Sequence, residues 1–76
     1  MIKYKDKLFI TNQELIQALG VSRESLCYWR KIGLPSISMY NKVYYPYREA
    51  RLWILAYRNI DIGEFFREVA NVILYN

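Results

Sequence analysis

Histidine does not occur in this 76-residue chain, and cysteine occurs once, at Cys27. The first absence removes the commonest general base and metal ligand; the second removes any intramolecular disulfide and leaves a thiol with no histidine to activate it. A lone cysteine fits a reducing compartment. Three glycines are too few and too scattered for a phosphate-binding loop. The carboxylates are spread along the chain, and Glu14, Asp61 and Glu64 stand at helix starts, where capping explains them better than acid–base chemistry does. No apolar run approaches the roughly 18 residues of a membrane span, and the opening M-I-K-Y-K-D-K is charged, unlike a secretory signal. These exclusions predict a soluble, cytoplasmic non-enzyme with no catalytic residue, no metal or cofactor and no membrane partner.

What is abundant is aromatic surface: eight tyrosines, three phenylalanines and two tryptophans. A chain this short sits near the lower limit for a single core without disulfides or metals, and large rings are the way it can gain enough buried area. A single domain over 1–76 is expected. The net charge is +4, unevenly distributed. Residues 1–58 carry ten basic and four acidic side chains; residues 59–76 carry one and three. The basic excess in the first part suits a polyanionic partner there.

The stretch Gly20 to Pro35, G-V-S-R-E-S-L-C-Y-W-R-K-I-G-L-P, carries the most information. Before it, Thr11 and Glu14 make a T-x-x-E capping box for a helix whose apolar face is Leu15, Ile16 and Leu19, stopped by Gly20. Ser22 can cap a second helix over about 23–32, ended by Gly33 with Pro35 beyond. Two short helices joined by Gly20-Val21-Ser22 predict a helix-turn-helix. At 100° per residue, Leu26 and Trp29 point towards the first helix, and Glu24, Tyr28 and Lys31 share the opposite face, flanked by Arg23, Cys27 and Arg30. Cations and a phenol there can meet phosphates, the first turn after Ser22 adds backbone N–H groups, and Arg23 or Glu24 can read a base edge.

These residues, with Tyr28-Trp29, Lys31-Ile32-Gly33-Leu34 and Trp53, resemble the helix-turn-helix of mercury-resistance-type (MerR) regulators and, more closely, of excisionase-like winged-helix proteins from phages and mobile elements. The resemblance covers about residues 8–58. It implies a mostly α fold with a small two-stranded β wing, here Ile37 to Tyr40 and Lys42 to Tyr45 around Asn41, followed by a helix bearing Trp53. Cys27 replaces the arginine usual before the aromatic pair, and the wing reads Val43-Tyr44-Tyr45 where arginine is usual. Lys42 at the wing tip and Tyr44 on its strand remain candidate contacts, with alternate tyrosines expected to fill the underside of the sheet.

After the wing, a helix over about 46–58 is expected to bury Ala50, Trp53, Ile54 and Tyr57, leaving Leu52 and Leu55 between arginines on its other side. Asp61 and Glu64 make a second capping box, opening a C-terminal amphipathic helix in 59–76, over about 62–74. Its stripe of Ile62, Phe65, Phe66, Val69, Val72 and Ile73 either folds back on Leu52 and Leu55 to close the core or is offered to a second subunit or another protein; both hold if the stripe is wider than one neighbour can cover, and Leu52 and Leu55 then belong to the same interaction surface.

The expectation is a sequence-specific double-stranded-DNA-binding accessory or regulatory protein of a phage or mobile element, either an excisionase-like factor or a small transcription regulator, acting in the bacterial nucleoid or an infected cell. Its DNA-binding residues would be Ser22, Arg23, Glu24, Cys27, Tyr28, Arg30, Lys31, Lys42 and Tyr44. The alternative is an interaction subunit that assists a larger nucleic-acid enzyme in replication, recombination or packaging.

Overall fold

The computed structural model describes residues 1–75, with side chains through Ile73. Two strands come first, β1 (Ile2–Tyr4) and β2 (Lys7–Thr11), followed by helices α1 (Asn12–Leu19) and α2 (Arg23–Ile32). A second hairpin, β3 (Ile37–Met39) and β4 (Lys42–Pro46), leads into helices α3 (Tyr47–Arg58) and α4 (Gly63–Tyr75). The strands form one antiparallel sheet in the order β1-β2-β4-β3.

This corrects the expected mostly α fold with a two-stranded wing. The supposed wing is half of a four-stranded sheet, and its other half is an N-terminal hairpin that the basic opening segment concealed. The two central strands pair through Phe9–Pro46, Ile10–Tyr45 and Thr11–Tyr44. Both hairpins turn on two residues with positive φ, Lys5 (49°) with Asp6 (64°) and Tyr40 (53°) with Asn41 (62°). That backbone matches the twist of the flanking strands, but it is normally supplied by Asn-Gly or Asp-Gly, so Lys5-Asp6 carries only a weak turn signal.

The helix caps follow the sequence closely. Thr11 and Glu14 exchange both bonds of the capping box, and Ser22 accepts the Ser25 N–H at 3.1 Å. Gly20 ends α1 at φ 66°, a conformation costly for a residue with a Cβ. Gly33 ends α2 at φ 131°, and a Cβ there would stand 3.1 Å from the Trp53 indole nitrogen. At the start of α4 the expected reciprocal box is absent among the described residues. Asp61 accepts the Gly63 N–H at 2.8 Å and turns its carboxylate to Arg51, at 2.7 and 3.0 Å.

The core gathers one stripe from each helix onto the sheet: Leu15, then Leu26 and Trp29, then Ala50 and Ile54, then Phe66 with Ile62 just ahead of α4, and Ile10 and Tyr45 beneath them. Trp29 does not pack simply on the first helix, as its wheel position implied. Its ring meets Trp53 and Tyr57 of α3, with centroids 6.2 and 5.7 Å away, and the Arg58 guanidinium lies over it. Tyr57, expected to be buried, is exposed, and its ring and that of Trp29 meet in a T at 71°. Helix α4 lies against β1 and closes the core, with the Phe66 ring edge-on to Tyr47.

Candidate nucleic-acid interface

The pairing of Thr11 with Tyr44 brings the start of α1 beside the β3–β4 hairpin, and Arg30 reaches from α2 to Tyr45 of β4, which in turn bonds Asn12 of α1. The resulting cleft, of about 510 Å³, lies between α2 and the hairpin. Arg23 and Arg30 project into it from α2, one at each end of a two-turn span; Lys42 and Tyr44 line it from β4. Thr11, Asn12 and Gln13 complete its floor with neutral polar groups, and Asn41 and Val43 complete the hairpin side. Three cations therefore share a hollow whose lining contains no carboxylate. Among the described residues none of the three is in an ion pair.

Arg30 is held in place from below. Its Nη1 donates to the Tyr45 hydroxyl at 2.5 Å, and that hydroxyl donates to Asn12 Oδ1 at 2.7 Å. Burial pushes the Tyr45 pKa up, and the bond and charge of Arg30 oppose this without overcoming it. The phenol stays protonated, as it must to donate to Asn12. The relay ties α1, α2 and the central strand into one support.

Of the residues expected to bind DNA, the cleft unites Arg23, Arg30, Lys42 and Tyr44. Glu24, Cys27, Tyr28 and Lys31 are exposed on α2, beyond the cleft lining. Ser22 serves as the helix cap and also donates to Ser25 Oγ at 3.0 Å. Sequence reasoning overlooked Thr11 to Gln13, Asn41 and the Tyr45 support. The signal that could have found them was the short apolar run Leu8-Phe9-Ile10 between Lys7 and Thr11, which reads as a strand buried on both faces and would have set the first helix beside the hairpin. It also overlooked Tyr40 at the hairpin tip, 90% exposed.

The C-terminal surface divides. Helix α4 does not fold back over Leu52 and Leu55, as core closure was expected to require; it docks on β1 and leaves them exposed, along with Phe65, Val69 and Val72. Ile62 and Phe66, expected on an interaction surface, are instead buried in the core, because α4 docks with that side inward; Ile73 is half-buried.

Comparison of the chain with known protein families, characterised proteins and solved structures finds no match. Among the described residues no group of histidine, cysteine and carboxylate side chains is placed to hold a metal ion, and no helix is long and apolar enough to cross a membrane.

Proposed function

We propose that the chain is a non-enzymatic protein that binds double-stranded DNA, serving as an accessory or regulatory factor of a phage or mobile element in the cytoplasm of a bacterium or an infected cell. The observation that carries this reading is the cation-lined, carboxylate-free cleft between α2 and the β3–β4 hairpin. A hollow of that charge favours a polyanion, and its neutral amides and hydroxyls can hydrogen-bond phosphate oxygens. An exposed helical face beside a projecting hairpin also suits a duplex, whose groove is bordered by two rows of phosphate.

In this reading the α2 side chains Glu24, Tyr28 and Lys31 enter the major groove and meet base edges, while Arg23, Arg30 and Lys42 hold the adjacent backbone. The succession of helix, short turn, helix and hairpin supports an excisionase-like factor or a small transcription regulator. Duplex binding measured against salt tests the idea. The log–log slope should be about −0.9 per phosphate, with roughly three to six phosphates contacted, and Arg23→Ala and Lys42→Ala should each flatten it by about one contact. No salt-sensitive duplex binding at low ionic strength would sink it.

The second reading is an interaction subunit of a larger nucleic-acid enzyme. The open apolar surfaces of α3 and α4 favour it.

A further inference from the structure

We propose that the protein binds a second copy of itself head to tail, the outer stripe of α4 in one molecule seating in the groove beside α3 in the next. Two unlike apolar surfaces stand open. One is a hollow lined by Leu8, Tyr47, Leu52 and Leu55 together with Arg48 and Arg51. The other is the flank of α4 formed by Phe65, Val69 and Val72 at i, i+4 and i+7, all three exposed. Leu52 is 63% exposed and Phe65 55%. Contiguous apolar surface of this kind on a small domain marks a contact site.

The stripe and groove cannot close on each other within one molecule. The Arg51–Asp61 pair anchors the start of α4 to α3, and Arg67 and Asn71 share a hollow with Tyr47 and Arg51. Phe65, Val69 and Val72 lie on the opposite flank of the helix.

Charge selects the occupant. Helix α3 carries three arginines against one glutamate, and α4 two glutamates against one arginine. Glu64 and Glu68, one turn apart, share the hollow of Phe65 and Val69, together with Arg67. At the groove Arg51 is engaged by Asp61, whereas Arg48 forms no ion pair among the described residues. A second copy therefore offers both the apolar side chains that would fill the groove and a carboxylate for Arg48. Pairing groove with groove would oppose arginines, and pairing stripe with stripe would oppose glutamates. The complementary contact joins unlike patches, which makes it heterologous and able to propagate beyond two copies.

Sedimentation of the full chain without nucleic acid tests this independently of DNA binding. The mean mass of the wild type should rise between about 10 µM and about 1 mM. Phe65→Glu, which spoils the stripe, and Leu52→Lys, which spoils the groove, should each stay monomeric while circular dichroism shows them folded. Their equimolar mixture retains one good stripe and one good groove, so it should form a 1:1 dimer and nothing larger. If either variant unfolds, Glu68→Lys and Arg48→Glu replace them. Each should weaken association about two- to fivefold, and their mixture should recover it. A wild type that stays monomeric throughout, as expected if these surfaces take a different protein, overturns the proposal. So does association that survives the single variants, or a mixture that fails to recover it.

Discussion

Helix α2 turns Leu26 and Trp29 into the core and leaves Glu24, Cys27, Tyr28 and Lys31 outside, whereas α4 turns in Phe66 and Ala70 and leaves Phe65, Val69 and Val72 outside. Their inner stripes do the same work, removing large apolar surface from water against a shared sheet. Their outer faces differ in kind. A polar face beside cationic side chains is at no disadvantage in water. An exposed aromatic and aliphatic face is at a disadvantage until something covers it. How a helix is held therefore says little about what its free side is for.

The largest expected effects fall on the inner stripes and test whether they are equivalent. Trp29→Ala and Phe66→Ala should each destabilise the fold by about 3–5 kcal/mol in chemical denaturation, because each leaves a ring-sized cavity. If Trp29→Ala remained fully stable, the aromatic cluster with Trp53 and Tyr57 would not be part of the core. On the outer faces, Lys31→Ala and Phe65→Ala should both change stability by less than about 0.5 kcal/mol. They should separate in function, the first weakening duplex binding and the second weakening self-association.

A smaller effect comes from the support beneath the cleft. Tyr45→Phe keeps the buried ring and removes the hydroxyl that joins Arg30 to Asn12. Stability should fall by about 1–2 kcal/mol. Duplex affinity should fall as well, since Arg30 loses the contact that aims it; unchanged affinity would show that Arg30 reaches its partner without that support.

The smallest effect is on the acid side. Burial tends to raise the Glu14 pKa, but the bond from the Met1 ammonium, the Thr11 N–H and further attraction from that ammonium hold it below its ordinary 4.5. The Arg51 guanidinium, then the Gly63 N–H, hold Asp61 below 3.8. Both carboxylates are more acidic in the folded protein than in the unfolded chain, so the unfolded chain takes up more protons as pH falls. Their stabilisation is complete above about pH 4.5 and is lost below it. Melting temperature should therefore drop between about pH 5 and about pH 3, less steeply in Asp61→Asn.

Local chemistry made much of the chain readable. Thr11 with Glu14, Ser22, Gly20 and Gly33 bound two helices through short-range bonds that need no distant partner. The hairpin around Asn41 was legible for the same reason. The N-terminal hairpin was not, because Lys5-Asp6 is an unusual pair for a left-handed turn and the charges of Lys3, Lys5 and Lys7 obscure a short strand. Missing β2 hid the consequence that mattered most for the site. Without the pairing of Thr11 with Tyr44, nothing in the sequence sets Asn12 and Gln13 beside Lys42, or makes Tyr45 a bridge between two helices. Likewise, periodicity gave α4 one wide stripe, and only its docking angle separated Phe66 from Phe65.

The pairing of β2 with β4 also sets an order in time. Each hairpin closes between near neighbours in the chain, but the contact of Thr11 with Tyr44 encloses everything from Asn12 to Val43 in one large loop, and it is the slow closure to reach. Both helices of the site and the hairpin tip lie inside that loop. A nascent or partly melted chain can hold each of these pieces in its own local shape and still have no cleft. The cleft is therefore complete only once that last seam of the sheet has closed.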